Sequence, residues 1–243
     1  MNTIKFENKS TKVVAHRGLS GIERENTNAA FIAAGNRSYY GVETDVHVTL
    51  DGEFVIAHDS HMNRVSGSSL VIEESTLAQL RSVTLYEKND ETKDRYDLHV
   101  STVTEYVRIC KTYEKVCVLE LKGIFGKDNL QKLVDLIKKE DYLENIVFIA
   151  FDWQNLIDLK KVYPEATMQF WAKEIALETL PELVKQGFSL DVYYQTLTQE
   201  MVDYMHENNL FVNIWTVDDK IEAEKFVDMG VDFITTNICE GIN

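Results

Sequence analysis

Short runs of β-branched and aromatic residues alternate along the chain with stretches of helical periodicity. KVVAH at residues 12–16 reads as a buried strand, and a helix opening at Asn26 or Thr27 follows over AAFIAAG. Residues 42–49, VETDVHVT, alternate strictly, with Val42, Thr44, Val46 and Val48 on one face and Glu43, Asp45 and His47 on the other. Asp51-Gly52 is a turn signal, and EFVIAHD returns as a second strand, so the pair predicts a hairpin. Further strands are predicted over residues 115–122, 146–151, 166–171, 188–194, 210–217 and 231–236. Between them, Leu130, Leu133, Val134 and Ile137 recur at helical spacing within residues 128–140, as do Ile221, Phe226 and Val227 within residues 221–229. Thr102 and Glu105 have the spacing of a capping box at the start of another helix.

With the hairpin counted once, the pattern gives eight βα-type units, which implies a parallel sheet with crossover helices. In 243 residues this fits a closed (β/α)₈ barrel of the TIM type, one domain over residues 1–243. An open doubly wound sheet of similar unit number has the same pattern. The stretch from His58 to the strand ending at Glu120 is longer than one crossover needs, so an insertion is expected at roughly residues 59–100. Within it, residues 87–97 (EKNDETKDRYD) form a dense mixed-charge run, read either as a solvated loop or as a lid over the barrel mouth.

The net charge of −15, from 40 acidic and 25 basic residues, argues against a nucleic-acid partner, which requires clustered Lys and Arg. It also means that an anionic substrate must find its positive charge locally. The odd number of cysteines, Cys110, Cys117 and Cys239, shows no metal spacing and suits a reducing compartment. The first residues, MNTIKFENKS, contain no apolar run, and residues 146–151 are far too short to span a bilayer. The expectation is a cytoplasmic protein without membrane insertion. The sequence sets no oligomeric state.

Polar residues gather where barrel strands should end. His16-Arg17-Gly18 closes the first strand. Glu43 and Asp45 lie two apart, on one face of a strand that should have neither face in solvent; two like charges there raise one carboxyl pKa or demand a cation. Glu120 and Lys122 repeat the spacing at the end of another apolar strand, and His58-Asp59 ends the hairpin. Glu43, Asp45 and Glu120 are hard oxygen donors that suit Mg²⁺ or Ca²⁺. Arg17 and Lys122 offer a fork and a point charge to a phosphate. His16 and His58 could serve as an acid/base pair. Taken one at a time, each of these also has a structural reading as an ion pair or capped turn.

In order along the chain, HRG (residues 16–18), ENT (25–27), ETD (43–45), TLDG (49–52), AHD (57–59), LELK (119–122), WTV (215–217) and GVDFITTN (230–237) resemble the pattern of the glycerophosphodiester phosphodiesterase family. The resemblance implies a (β/α)₈ barrel that hydrolyses glycerophosphodiesters to glycerol phosphate and an alcohol. It implies that His16 and His58 are catalytic, that Glu43, Asp45 and Glu120 hold one divalent cation (Mg²⁺ or Ca²⁺), and that Arg17 and Lys122 contact the phosphate. It further implies that Trp215 lines the mouth against the substrate's carbon skeleton, and that the glycerol's own hydroxyl attacks phosphorus to give a cyclic phosphate. The chain departs from the family pattern at Ala150-Phe151 for Ser-Phe, Asp218 for Asn, Val100 or Ser101 for Pro, and Thr236-Asn237 for Thr-Asp. Two alternatives stand beside this reading: a phospholipase-D-like relative acting on lysophospholipids, and a non-catalytic phosphate-binding barrel. The latter predicts loss of a ligand or histidine, and all are present here.

Overall fold

A computed structural model describes residues 2–88 and 90–242. After an outlying strand β1 (Ile4–Glu7), the chain enters the sheet at β2 (Lys12–Ala15), crosses through α1 (Asn28–Gly35) and returns as β3 (Gly41–Val48). The Asp51-Gly52 turn leads into β4 (Phe54–Ile56), antiparallel to β3 as the hairpin signal predicts. Short helices α2 (Asn63–Ser66) and α3 (Leu77–Arg81) follow before a two-residue strand β5 (Ser101–Thr102) pairs with β4. The remainder alternates regularly: α4 (Val103–Thr112), β6 (Val116–Leu121), α5 (Gly126–Lys139), β7 (Ile146–Ala150), α6 (Trp153–Val162) and β8 (Thr167–Ala172). Then come α7 (Leu180–Gln186), β9 (Ser189–Tyr193), α8 (Gln199–Glu207), β10 (Val212–Trp215), α9 (Lys220–Met229), β11 (Phe233–Thr236) and β12 (Cys239–Ile242).

Strands β2, β3, β6, β7, β8, β9, β10 and β11 are parallel neighbours, and the pairing of β2 with both β3 and β11 closes them into an eight-stranded barrel. The open-sheet alternative is thereby excluded. Closure decides what each side chain meets. Apolar residues one step apart part company: Val13, Ala15, Val42, Val46, Leu119 and Leu121 join the large core between sheet and helices. Val14, Val118, Val147, Ile149 and Phe233 form a separate cluster inside the barrel. Leucine and valine are the commonest residues of the outer core, and burying each such side chain is worth roughly 1.5–3 kcal/mol. Above the inner apolar cluster the filling becomes polar. Thr235 Oγ1 donates to Asn213 Oδ1 at 3.1 Å, and Asn213 Nδ2 donates to Gln169 Oε1 at 3.1 Å, a buried ladder across three strands.

Local chemistry accounts for the helix starts. Thr102 accepts from the Glu105 amide at 3.2 Å while Glu105 Oε2 accepts from the Thr102 amide at 2.8 Å, the reciprocal cap expected from the sequence. Thr27 caps α1, so the second of the two expected openings is the one used. Between β4 and β5, Val55, Met62, Ile72, Leu80, Leu98 and Val100 bury one another in a small satellite core. The charged run at residues 87–97, of which Asn89 lies outside the described residues, has no regular structure and is tied down by Arg95 to Glu23 at 2.6 Å and Lys93 to the Ser66 carbonyl at 2.7 Å.

β11 is followed not by a helix but by β12, which pairs in parallel with β1 from the other end of the chain, Ile4 facing Cys239. The ribbon packs against α9 and β2, where an eighth helix would otherwise cover the barrel. Glu240 locks it: the carboxylate lies 2.6 Å from Lys5 Nζ and accepts from the hydroxyls of Thr3 at 2.5 Å and Ser38 at 2.8 Å. Burial opposes ionisation there, but Lys5 and the hydroxyls outweigh it and hold the carboxyl at about 2 against an ordinary 4.5. The stability it contributes is therefore present above pH 4.5 and lost as the pH falls towards 2. Glu240→Gln should cost about 1–3 kcal/mol near neutral pH. In denaturant titrations the gap to wild type should narrow as the pH drops from 4.5 towards 2; a gap independent of pH would mean that the charge is not what matters.

Candidate active site

Each strand presents every second residue to the barrel interior. That alternation carries Glu43 and Asp45 inward from β3, Glu120 from β6, Trp171 from β8, Asp191 from β9 and Trp215 from β10, towards the C-terminal mouth. Asp45 and Glu120 sit directly opposite each other across the β3–β6 pair. Oxygens of Glu43, Asp45 and Glu120 all come within 4.8 Å of one another. His16, Arg17, Glu43, His58, Glu120, Lys122 and Trp215 line one cavity of about 110 Å³, with Asp45 wholly buried beside it. The structure thus brings together every residue singled out from the sequence.

The loop after β2 is shaped by backbone conformation. Arg17 has φ 54° and Gly18 φ 75°, and a Cβ at Gly18 would lie 2.7 Å from the Ala30 carbonyl carbon, so only glycine fits. The turn aims the Arg17 amide at Glu43 Oε2, 2.8 Å away, and its guanidinium at Glu25 (2.9 Å) and Asp45 (3.5 Å). Asn26, also at positive φ, donates to Asp45 Oδ2 at 2.8 Å and accepts from Thr44 at 2.8 Å. This is the structural use of Glu25 and Asn26 in the ENT run.

Burial pushes the Glu43 carboxyl well above its ordinary range, and the negative charges of Asp45 and Glu120 push the same way. Glu120 is raised for the same reasons, burial and then Asp45. Asp45 differs. Burial opposes its charge, but Arg17 and Lys122, the latter 3.4 Å away, keep it ionised below its usual value. Lys122 also lies 2.9 Å from Glu120. Three inward carboxylates against two cations leave the cluster short of positive charge. A set of oxygen donors with that deficit fits a hard divalent cation.

The two imidazoles have different backing. His16 Nδ1 lies 2.8 Å from Asn237 Oδ1. The amide's orientation is fixed because Asn237 Nδ2 donates to Asp218 Oδ2 at 2.6 Å and its backbone N–H donates to Asp218 Oδ1 at 2.7 Å. Oδ1 can then only accept, so His16 carries its proton on Nδ1 and turns a free Nε2 towards Glu43, 3.9 Å away. Burial and the neighbouring Arg17 lower this imidazole to about 4. His58 Nδ1 instead meets Asp59 Oδ1 at 2.7 Å, and Asp59 is held by Arg64 Nε at 2.6 Å. Arg64 forks onto Glu25 with two contacts of 2.8 Å, and Glu25 returns to Arg17. Burial opposes the Glu25 charge, but Arg64 and Arg17 hold it down at about 2. Burial lowers His58 as well, with Asp45 and Asp59 opposing and Arg17 and Lys122 adding to the fall.

Several participants were not assigned roles from the sequence. Asp59, Arg64, Asn237 and Asp218 support the histidines. Asp218 and Asn237, both departures from the family pattern, hydrogen-bond to each other. Trp171 stacks on Trp215 with ring centres 4.8 Å apart, and Phe151 meets Trp171 edge-on at 5.5 Å. Phe151 and Trp171, with Ile124, border a groove of about 640 Å³ that adjoins the cavity at His58.

A barrel whose C-terminal mouth sets a carboxylate cluster, Arg17 with Lys122, and two imidazoles around one cavity has the parts of a phosphoric diester hydrolase. Residues 16–240 match the model of the glycerophosphoryl diester phosphodiesterase family. The chain belongs to that family. It is 28% identical over 230 residues to a glycerophosphodiester phosphodiesterase of Caldanaerobacter subterraneus subsp. tengcongensis, covering 93% of this chain and 94% of that one. Among solved structures, a phosphodiesterase of Oleispira antarctica in complex with the product sn-glycerol-3-phosphate superposes with a TM-score of 0.83 at 24% identity, over 93% of this chain and 92% of the other. A glycerophosphodiester phosphodiesterase of Parabacteroides distasonis gives a TM-score of 0.76 at 26% identity, over 96% and 94%. Among the described residues no helix is long and apolar enough to cross a membrane.

Proposed function

We propose that this protein hydrolyses glycerophosphodiesters to glycerol phosphate and an alcohol, with His16 as the base, His58 as the acid and one divalent cation held by Glu43, Asp45 and Glu120. The observation that carries the proposal is the carboxylate triad, within 4.8 Å, on the same cavity as two differently backed histidines. When bound, Mg²⁺ or Ca²⁺ supplies positive charge to the phosphoryl group. The product seen in the Oleispira antarctica structure supports the same substrate class here.

The chain's own residues do the rest. Arg17 and Lys122 take phosphoryl oxygens and hold their growing charge. His16, neutral and with Nε2 free, accepts the proton of the glycerol hydroxyl next to the phosphorylated carbon. That oxygen attacks phosphorus, and the bond to the leaving alcohol breaks. The hydroxyl is already tethered near phosphorus, so little further entropy is lost in reaching it. His58 borders the outer groove where the alcohol departs, and gives it a proton. Asp59 and the incoming phosphodiester anion both favour the imidazolium that this role requires. Water then opens the cyclic phosphate.

The test is release of glycerol phosphate from a panel of glycerophosphodiesters, with and without EDTA. A substrate lacking the adjacent hydroxyl should bind comparably and turn over far more slowly. Hydrolysis of that analogue at the normal rate would replace the internal nucleophile with water. The exposed Ile124 and Phe151 beside Trp171 favour a second reading of the substrate, as a lysophospholipid whose acyl chain lies along the groove and stays with the glycerol phosphate while its headgroup alcohol leaves. The acylated members of the panel distinguish the two.

A further inference from the structure

In the closed barrel β9 stands four strands round from β3, on the wall facing the carboxylate cluster. Its inward residue at the level of the site is Asp191, only 3% exposed, with an Oδ1 that has no hydrogen-bond partner among the described residues. On the next strand, the Trp215 indole Nε1 is likewise buried and unpartnered. Both residues line the reaction cavity. The fold does not need either atom for its own hydrogen bonding. The neighbouring Thr235–Asn213–Gln169 ladder is satisfied without them, although Asn213 is Asp191's direct partner across β9 and β10. Buried polar atoms left unpaired cost stability, and a native structure that keeps them at a cavity wall has a use for them there.

We propose that Asp191 and the Trp215 indole N–H together read the terminal hydroxyl of the substrate's glycerol, and so set specificity for glycerol over other phosphorylated alcohols. The inference rests on the phosphodiesterase reading above. One hydroxyl offers one O–H to donate and lone pairs to accept. The two orphaned atoms are one acceptor and one donor, and they are not hydrogen-bonded to each other. The complementarity does not depend on the carboxyl's charge state, since a carboxyl oxygen accepts whether or not the group is protonated. A second cation fits poorly, because an indole N–H cannot ligate one. With the phosphate at Arg17 and Lys122, and the adjacent hydroxyl at His16, the terminal carbon of glycerol is the part left to reach the β9–β10 wall. The stacked ring of Trp171 would then carry the apolar face of the glycerol chain.

The test compares glycerophosphocholine with the analogue in which the terminal CH₂OH is CH₃, using the full-length protein and a divalent cation. Wild type should favour the natural substrate by roughly 10–100-fold in kcat/KM. Asp191→Leu should lose a similar factor on glycerophosphocholine and treat the two substrates alike. Trp215→Phe, which keeps the ring but not the N–H, should narrow the preference by a smaller factor. Thermal unfolding without substrate separates function from structure: Asp191→Leu should unfold at the same or a higher temperature, since it removes an unpaired buried polar group. If Asp191→Leu does not fold, Asp191→Ala reads the same ratio. Retention of the wild-type preference in the Asp191 variant overturns the inference, as does a fall in stability with the preference intact. If wild type releases no glycerol phosphate at all, the phosphodiesterase reading fails and takes this one with it. If wild type is active and the ratio is unmoved, only the reading of Asp191 fails.

Discussion

Glu43→Gln and Asp45→Asn are both expected to abolish phosphodiesterase activity, yet only Asp45→Asn should destabilise the cation-free protein. A bound divalent ion contributes several kcal/mol to transition-state charge stabilisation, so loss of a ligand should cost about 10³-fold or more in turnover. Without the ion, Glu43 is buried against Asp45 and Glu120, and removing its capacity for charge relieves that repulsion. A glutamine can still accept the Arg17 amide that Glu43 accepts at 2.8 Å, so Glu43→Gln should be neutral or stabilising. Asp45 is the ionised member, paired with Arg17 and Lys122 and bonded to Asn26, and its loss should cost about 1.5–3 kcal/mol. Wild type should gain about 2.7 kcal/mol at a cation concentration one hundred times the Kd, and neither variant should match it. The pH dependence has a definite sign. A carboxyl whose pKa is raised on folding binds more protons in the native state, so the cation-free protein loses stability as the pH rises above Glu43's ordinary 4.5. Adding Mg²⁺ or Ca²⁺ should cancel that loss. Thermal unfolding with each ion and with EDTA measures all of this, and turnover unaffected by chelation would sink the metal assignment.

His16→Ala and His58→Ala should each lower kcat by roughly 10²–10⁴-fold, but only one should respond to the leaving group. A nitrophenyl diester leaves without protonation, so it should restore much of the rate to His58→Ala and little to His16→Ala. The assignment follows from what stands behind each ring. Burial and Arg17 keep His16 neutral while the Asn237 oxygen fixes its Nδ1–H tautomer, whereas Asp59 behind His58 favours the imidazolium. Equal rescue of the two variants would refute the division of labour. Rescue of His16→Ala alone would reverse it.

The alternation of residues 42–49 was enough to place Glu43 and Asp45 on one face, because a strand's period is insensitive to its surroundings. The same rule placed Glu120 with Lys122, and cap chemistry fixed the starts of α1 and α4 to within a residue or two. Long-range partners were not legible. Nothing local to Asn237 announces that it faces His16, nor to Arg64 that it reaches Glu25, since both pairings join segments far apart in the chain. Asp191 was hidden for a different reason. Within FSLDVYY it reads as one polar residue in an apolar strand, and only a closed interior shows that it has no partner. The sequence spacing also could not show that β1 takes part in the fold, because IKFE pairs with a strand at the opposite end of the chain.

That terminal ribbon has a consequence for how the protein is made. β1 has β12 as its partner, and β2 lacks one flank until β11 arrives, so during synthesis these two strands wait for two that lie far along the chain. At roughly 5–20 residues per second the wait is on the order of ten to fifty seconds. Throughout it, Phe6 and Val14, which end up wholly buried, belong to a nascent chain whose closing strands do not yet exist. Slow synthesis should therefore favour aggregation of this protein rather than suppress it, and a trigger factor or similar holdase should raise its yield most when translation is slowed.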